Sequence, residues 1–484
     1  MTTELERLLG DPLDEDNPLS YAAVLGADER GEMLAAGEEL LDGYRLNAEF
    51  VPAALGGRFT QADRLARVLR TVFRRDATLG LGYGFISFIA AAPVWTVGSG
   101  AQQRRIADLL LGGGRVAAGY TELPHGNDFT RNELAARPCA GGFTLDGSKE
   151  LISNIARAQA VVLHARTAPE AHHRGHSHLL VDLSRLPAGG HEVLPRFPTV
   201  GVRGLQLAGI RFQECPVPAD LVGPEGSAME TVLRAFQVTR GVIPGLAVGI
   251  LDTQLRVVTR FALGRRLYGG TVTDLPHARY TLAGAFLDLL AADCLATVAA
   301  RSLHLLPDQS LVLTAAAKYL VPRLVQEATY ALSVLFGARS YLRGGPGGVF
   351  QKNARDAQLV TFGHANGTVC RATIIPQLHR LARHGWAGGE EAPAALFRLD
   401  EDLPPLDFAA LALASRGRDS LIGTLAGTGG RGADPRLDKV RDALAARLPE
   451  LRADCLALPA RDRTVIAGPR AFALADGYAN LLAA

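Results

Sequence analysis

Two nearby segments of the chain carry the residues best suited to chemistry. Residues 119–128 read Gly-Tyr-Thr-Glu-Leu-Pro-His-Gly-Asn-Asp, and residues 142–154 end in Ser153 and Asn154. In the first, a turn after a strand offers backbone amides and the Thr121 hydroxyl. The second is predicted to be a hairpin ending in a hydroxyl and an amide, so together they can face the polar edge of a planar ring. The alternative is a Gly-rich β-meander whose polar side chains satisfy only their own turn amides.

These two segments resemble the flavin-facing segment of the acyl-CoA dehydrogenase superfamily. The resemblance implies bound FAD, with Thr121 on the pyrimidine side of the flavin and Ser153 at its N5 edge. It also implies that Asn127 and Asp128 belong to the cofactor site. One departure is Leu151, which stands where the family often places an aromatic residue against the flavin.

A second segment strengthens the resemblance. Arg240, followed about two dozen residues later by Gly264-Arg265-Arg266-Leu267-Tyr268-Gly269, resembles the family helix that passes the flavin and ends at a phosphate-binding arginine and an aromatic residue. The resemblance assigns Arg265 and Tyr268 to the cofactor. An arginine suits phosphate because its planar fork donates two hydrogen bonds and stays charged. The alternative is a solvated basic helix end that opposes the helix dipole.

A third segment runs from Gly337 through Arg355-Asp356 to Thr368. It resembles a family region that crosses a dimer interface to the neighbouring subunit's flavin and supplies the catalytic glutamate. The resemblance assigns Gly337 and Thr368 to the cofactor site. Where the family usually has Glu-Gly-Thr, however, this chain has Asn366 before Gly367 and Thr368.

The missing glutamate leaves three hypotheses for the reaction. Desaturation of an acyl thioester needs a base for the α-proton, and a neutral amide such as that of Asn366 cannot accept it. Thr239, immediately before Arg240, occupies the position that carries the glutamate in some relatives. Either His364 is a relocated base, or the flavin serves another reaction such as ring closure, oxygen activation or elimination, or the centre is silent. The candidate catalytic residues are therefore His364, Asn366 and Arg240.

Composition narrows the class of protein. The chain has 484 residues, 48% of them hydrophobic, and this length predicts about three domains. Its 51 basic and 49 acidic residues nearly balance, which argues against a nucleic-acid footprint and a membrane-seeking surface. Five scattered cysteines show no CxxC spacing, which favours a reducing compartment. The N-terminus lacks a signal-peptide pattern, and we expect no run of about 18 uncharged apolar residues that would span a bilayer. The predicted location is the cytoplasm.

Hydrophobic periodicity predicts the order helical, β, helical. Strands are expected around residues 160–165, 177–182 and 205–212, and long helices at 229–263, 278–305 and 311–336. With the resemblance, the predicted class is an α+β acyl-CoA dehydrogenase-like fold. Its expected parts are an N-terminal helical domain (1–118), a central β-barrel-like domain (119–228), a C-terminal four-helix bundle (229–395) and a helical extension (396–484).

The run from His172 to His178 contains four histidines and is expected in a loop of the β domain. Short His spacings bind zinc or nickel adventitiously. No nearby cysteine or helical HExxH pattern completes a site, so no functional metal is predicted. Neither a dinucleotide Gly-x-Gly-x-x-Gly, a Walker A motif nor a Gly-x-Ser-x-Gly elbow occurs in a fitting context.

The expected function is FAD-dependent α,β-desaturation of an acyl thioester, carried by CoA or an acyl carrier protein in specialised metabolism. The resemblance implies a homodimer or homotetramer and an electron-acceptor protein or oxygen as partner. The alternatives are a monooxygenase, cyclase or non-redox elimination on the same fold, and a catalytically silent binding protein.

Overall fold

The computed structural model describes residues 2–169, 172, 174–345, 347–386, 390–427 and 434–484. The chain begins with seven helices packed around one apolar core. These are α1 (Thr2–Leu9), α2 (Tyr21–Arg30), α3 (Ala35–Tyr44), α4 (Ala62–Arg75), α5 (Ala77–Gly80), α6 (Ile86–Val97) and α7 (Gly100–Leu111). A π-helical turn, Leu81–Phe85, joins α5 to α6.

Among the described residues, three helical stretches are long and apolar enough to cross a membrane, judged by length and composition alone. The expectation that no such uncharged run exists was wrong, because Ala77–Val97 carries no charged residue over 21 positions. That stretch and the second, Ala228–Gly264, lie inside the protein, where 100% and 89% of their most apolar windows are buried. The third, Pro276–Leu305, has only 28% of its window buried, so it presents an apolar face.

The β domain follows as one seven-stranded sheet in the order β1-β4-β2-β3-β7-β6, with β5 paired to β4. Its strands are β1 (Val116–Gly119), β2 (Ala135–Cys139), β3 (Gly142–Ser153), β4 (Ala160–Arg166), β5 (His176–Asp182), β6 (His191–Val193) and β7 (Leu207–Pro218). The three expected strands are confirmed as β4, β5 and β7. The β3–β7 ladder is irregular between Lys149 and Ile152, which marks a bulge.

Three buried histidines line the inside of this sheet. His176 lies in β5 rather than in a loop, which corrects the expectation for the His-rich run at this residue, and His178 lies in the strand expected at 177–182; His173 falls outside the described residues. His164 Nε2 donates to the Phe129 carbonyl (3.2 Å), so its Nδ1 accepts from His178 Nε2 (3.3 Å). His176 stacks on His164 with ring centroids 4.9 Å apart. Among the described residues, no group of His, Cys, Asp and Glu could hold a metal ion.

The C-terminal bundle is built on three long helices. They are α8 (Ala228–Gly264), α9 (Pro276–Leu305) and α10 (Ser310–Phe336), and a short hairpin of β8 (Arg266–Leu267) and β9 (Gly270–Thr271) separates the first two. α11 (Gly348–Phe362) and α12 (Gly367–Arg380) pack against α8 and α10 and complete the bundle. The three long helices predicted from periodicity are confirmed.

The last section wraps the end of the bundle. It contains α13 (Ser420–Ala426), α14 (Pro435–Ala445), α15 (Leu448–Leu456) and α16 (Pro469–Ala483). Asp419 fixes it in place, because its buried carboxylate accepts hydrogen bonds from Trp386 Nε1 (2.9 Å) and the Tyr478 hydroxyl (2.8 Å). Burial raises the pKa of Asp419. The predicted fold, with a helical extension after the bundle, is confirmed.

One buried polar network joins the N-terminal helices, the β domain and the bundle. Lys352 Nζ on α11 donates to Asp76 (2.7 Å) and to Asp356 (2.5 Å). The other oxygen of Asp356 accepts from the Val202 amide of the β domain (2.6 Å). Because Asp76 precedes α5, all three parts meet at one ammonium group.

We expect the three buried histidines to make the protein acid-labile. Burial lowers the pKa of His178 to about 3 and that of His164 well below its usual value. The unfolded chain, with histidine near pKa ~6.5, then binds more protons than the native one, so stability falls as pH drops through that value. Between pH 7 and pH 5 the linkage to His178 should cost about 2 kcal/mol of stability.

Urea unfolding at both pH values measures the effect. His178→Leu should reduce the loss of stability between pH 7 and pH 5, whereas His277→Leu, at an exposed position on α9, should leave it unchanged. An equal loss in wild type and His178→Leu would mean that His178 is not a source of the acid sensitivity.

Candidate functional site

The two sequence-predicted hydroxyls lie together at one edge of the β domain. Thr121 follows β1 and Ser153 ends β3. The Glu150 amide donates to the Thr121 carbonyl (3.0 Å), which ties the two segments together. Between them, the bulge places Leu151 in the left-handed region at φ 54° with 39% of its surface exposed. We call Thr121, Leu151 and Ser153 the hydroxyl platform.

The hydroxyl platform has unused hydrogen-bonding capacity. Thr121 and Ser153 are half-buried, and within the described chain neither hydroxyl has a hydrogen-bond partner. Strain and bulges of the kind seen at Leu151 cluster at binding sites because they aim a side chain away from regular pairing. The platform therefore offers one apolar side chain flanked by two free hydroxyls, which suits a flat ring with polar edges.

A buried ion pair lies beside the hydroxyl platform, within the same two segments of the chain. Lys149 Nζ lies 2.8 Å from Glu122 Oε1, and the same carboxylate accepts from the Glu133 and Leu134 amides. Burial alone would raise the pKa of Glu122, but Lys149 and the two amides outweigh it and hold this pKa below its usual value. By contrast, Asn127 and Asp128 lie in an exposed loop.

A second group, which we call the Arg240 cluster, lies in the bundle and consists of Arg240, Lys318 and His364. Arg240 on α8 is 1% exposed, and its Nε and Nη1 have no hydrogen-bond partner. Lys318 on α10, also 1% exposed, donates only to the carbonyls of Val360 (2.7 Å) and Ala365 (3.2 Å). In the part of the chain that the structure describes, no carboxylate forms an ion pair with either cation.

Burial and mutual repulsion shape the titration of the Arg240 cluster. Burial lowers the pKa of Lys318 to about 8, and Arg240 adds to the effect. His364 is partly exposed, but its Nδ1 is shielded and has no partner. Burial, with the fields of Lys318 and Arg240, lowers its pKa to about 3, so its imidazole is neutral and weakly basic at neutral pH.

The loop that carries His364 is strained. His364 and Ala365 both have positive φ, at 58° and 100°, which side chains other than glycine adopt at a cost of about 1–3 kcal/mol each. Asn366 directly precedes α12, and its Oδ1 accepts from the Val369 amide (2.9 Å). This side chain therefore caps the helix, so the amide at the position where the resemblance expects a glutamate is already hydrogen-bonded. Thr368, in the first turn of α12, is exposed.

Aromatic rings connect the hydroxyl platform to the Arg240 cluster. Phe236, one turn before Arg240 on α8, contacts the ring of His364 with centroids 5.0 Å apart. It also contacts Tyr120 (6.3 Å) and Phe129 (6.2 Å) of the β domain. Tyr120 directly precedes Thr121, so the two groups adjoin across the interface between the β domain and the bundle.

Arg265 lies elsewhere, in a solvent-open cavity of about 520 Å³ at the far end of α8. Three more arginines line it, Arg260, Arg266 and Arg339, together with the rings of Phe261 and Phe336. We call it the arginine cavity. Gly337 follows Phe336 directly at the end of α10, with φ 64°. Tyr268 is 93% exposed at the tip of the β8–β9 hairpin.

The structure thus brings the predicted residues together in three separate groups rather than one. Thr121 lies with Ser153, Arg240 with His364, and Arg265 near Gly337. Along α8, 25 residues separate Arg240 from Arg265, or about 37 Å at 1.5 Å per residue, beyond the span of one dinucleotide. Sequence reasoning missed Lys318 and three arginines of the cavity. The signals were a single lysine inside the apolar run of α10 and the repeated arginines near the end of α8.

Comparison with known proteins matches most of this architecture. The family model for the acyl-CoA dehydrogenase middle domain matches residues 117–215, and that for the C-terminal domain matches residues 226–378. The human mitochondrial short-chain specific acyl-CoA dehydrogenase is 24% identical over 354 residues, which cover 72% of this chain and 84% of the relative.

Two solved structures have the same fold. The prolyl acyl carrier protein oxidase AnaB aligns with a TM-score of 0.67 at 18% identity, covering 77% of this chain and 96% of AnaB. PigA with FAD and proline aligns with a TM-score of 0.68 at 19% identity, covering 78% of this chain and 96% of PigA. At these identities the likeness establishes the fold alone. With both domain models matched in order, the chain belongs to the acyl-CoA dehydrogenase superfamily.

Proposed function

We propose that this protein binds FAD and oxidises an acyl thioester, removing hydrogen from Cα and Cβ of the acyl group. The observation that carries the proposal is the hydroxyl platform, where Thr121 and Ser153 offer free hydroxyls beside the exposed side chain of Leu151. A flavin ring has an apolar face and polar edges, so the residues present fit it. The related PigA was solved with FAD.

The phosphates of FAD fit the arginine cavity. Its four arginines provide charge and forked donors for a pyrophosphate, and Phe261 and Phe336 provide apolar walls. This cavity lies about 37 Å along α8 from the Arg240 cluster, which adjoins the hydroxyl platform. One FAD therefore cannot reach the platform and the arginine cavity of the same chain. We therefore assign Arg265 and Gly337 to the FAD whose flavin rests on the platform of a second copy.

An exposed apolar face supports assembly with a second copy. It lies on α9 and α10 and is formed by Tyr280, Phe286, Leu287, Leu290, Tyr330 and Val334, which are 44–78% exposed. Large apolar side chains exposed on one pair of helices mark an interaction surface, and a second copy of the chain is the partner that a closed symmetric assembly provides. A homodimer or homotetramer would bury this face and complete the cofactor site.

Desaturation needs one acceptor for the hydride from Cβ and another for the proton from Cα. When bound, FAD supplies the acceptor for the hydride that leaves Cβ. The α-proton needs a separate acceptor, and Asn366 is occupied as a helix cap. We assign the proton to the free Nδ1 of His364, which adjoins Phe236 between the platform and the bundle.

A second candidate function is favoured by one observation. No carboxylate pairs with the Arg240 cluster in the described residues, and the pKa of His364 lies near 3, so the site is a weak base. A flavin reaction that needs no α-proton removal, such as oxygen activation or cyclisation, would tolerate this.

The partners of the reaction are part of the same proposal. AnaB, which shares the fold, is an oxidase of a prolyl acyl carrier protein. By analogy we propose a carrier protein as the thioester tether of this protein's substrate. An electron-transfer protein or oxygen would be the electron acceptor, and the cytoplasm would be the location.

We expect the purified protein to be yellow and to release FAD on denaturation. Arg265→Gln should weaken FAD binding roughly 10-fold or more, because it removes a charge-assisted contact to phosphate. Ser153→Ala should weaken it roughly fivefold and shift the visible spectrum. Equilibrium dialysis and absorbance measure both.

Matched control variants are Ser184→Ala and Arg185→Gln, which lie outside the three groups on the β-domain surface. A protein that stays colourless with added FAD contradicts the proposed function. Unchanged affinity in Arg265→Gln contradicts only the assignment of the arginine cavity.

Assembly should depend on the α9 face. Leu287→Lys places a charge on that apolar face and should shift the protein to smaller species in size-exclusion chromatography with light scattering. If the cofactor site is shared, FAD affinity should fall in parallel. Leu437→Lys, at a similarly exposed position on α14, should keep the wild-type mass, and a wild-type mass in Leu287→Lys would show that this face is not the interface.

Oxygen distinguishes the two candidate functions. A desaturase reduced anaerobically by an acyl thioester should yield a product two hydrogens lighter, without oxygen. A monooxygenase whose flavin has first been reduced with dithionite should leave the thioester unchanged anaerobically, and in air should add one oxygen atom to it while the second leaves as water. Mass spectrometry of the thioester under both atmospheres gives the result, and an unchanged thioester under both contradicts both functions for that thioester.

A further inference from the structure

The Arg240 cluster contains two buried cations and no buried anion among the described residues. Arg240 and Lys318 are each 1% exposed. Leaving a charge unpaired in the interior costs several kcal/mol, so buried charges are normally paired. Two other buried cations are paired with carboxylates: Lys352 meets two aspartates, and Arg301 meets Asp63.

The surroundings of Arg240 show that the described part of the chain supplies no counter-ion. Its guanidinium lies 5.7 Å from the centroid of the Phe236 ring, and its Nε and Nη1 donate to nothing. Among the described residues no carboxylate acts on the pKa of either cation: Arg240 lowers that of Lys318, and the Cys370 thiol is the other side chain that affects both. Lys318 uses its ammonium on backbone carbonyls, which compensate dipoles but not net charge.

The cofactor does not supply the missing anion either. The phosphates of FAD are assigned to the arginine cavity, and the oxidised flavin ring carries no net charge. The phosphates of a CoA or carrier-protein tether lie at the far end of a neutral pantetheine arm. A charge that reaches Arg240 must therefore be on the acyl group.

We propose that the Arg240 cluster binds a carboxylate carried by the acyl group, so that the substrate is a dicarboxylic acyl thioester rather than a plain alkyl one. The inference rests on the proposed function for the thioester. A carboxylate accepts from the unpaired N–H groups of Arg240 and offsets the charge of Lys318. The half-buried rings of Phe129 and His364 contact Phe236, whose ring lies beside the Arg240 guanidinium.

The test compares thioesters that differ only in charge. The probes are the succinyl, glutaryl and adipyl thioesters of pantetheine, each paired with its terminal monoamide, which has the same shape without the charge. Isothermal titration calorimetry on the protein with and without bound FAD gives the affinities. We expect the acid to bind roughly 10- to 100-fold tighter than the amide at one chain length or more. Equal affinities at all three lengths overturn the proposal.

Variants locate the preference. Arg240→Met should abolish it, and Arg240→Lys, which keeps the charge without the fork, should keep part of it. Because Arg240 is buried without a partner, Arg240→Met should also leave the melting temperature equal or higher, whereas a purely structural arginine would lower it. A preference that survives Arg240→Met overturns the assignment, and should that variant not fold, the acid–amide comparison in wild type still decides.

The two proposals fail separately. A protein that binds FAD but shows no acid preference keeps the oxidoreductase function and loses the dicarboxylic substrate. A protein that never binds FAD but prefers the acid in an Arg240-dependent way loses the oxidoreductase function and keeps the anion site.

Discussion

The arrangement of the whole site depends on one buried ammonium group. Lys352 bridges Asp76 from the N-terminal helices and Asp356 of its own helix, and Asp356 receives the Val202 amide of the β domain. Burial raises the pKa of Asp356 even though Lys352 opposes the shift. Charge-assisted bonds in a dry interior hold geometry tightly, and here they fix how the sheet sits on the bundle. The hydroxyl platform and the Arg240 cluster belong to those two parts, so their juxtaposition follows from this junction.

Two equally buried lysines differ in their partners, and the difference distinguishes a structural ion pair from a candidate binding site. Lys352 is surrounded by carboxylates and satisfies the expected pairing of interior charge. Lys318, equally buried, has only carbonyl partners, and Arg240 has free N–H groups. The unpaired charges of Lys318 and Arg240 destabilise the ligand-free protein, and binding of an anion would offset this destabilisation. Local violations of packing rules of this kind concentrate at functional sites.

Sequence reasoning reached the architecture because periodicity and the family pattern agreed, as in α8, α9 and α10. It reached Thr121 and Ser153 because a turn and a strand end fix such positions locally. It placed His176 poorly because a run of polar residues predicts a loop, whereas in β5 its Nε2 donates to the Asn132 carbonyl (2.9 Å) and its ring stacks on His164 inside the sheet. Lys318 and the cavity arginines were missed because their roles depend on which residues surround them in the folded protein. Local sequence does not show that a buried lysine lacks a carboxylate partner or that distant arginines line one cavity.

The depressed basicity of His364 and the unpaired charge of Arg240 are two aspects of one electrostatic environment. Burial is the larger cause of the low pKa, but the fields of Lys318 and Arg240 add to it. A bound carboxylate would oppose those fields and raise the pKa of the imidazole, because an opposite charge nearby favours the protonated form. The same acyl group that fills the anion site would thus strengthen the only proton acceptor assigned to the reaction. A neutral acyl chain would leave His364 a weak base, so recognition and proton removal become coupled through charge rather than through a catalytic glutamate.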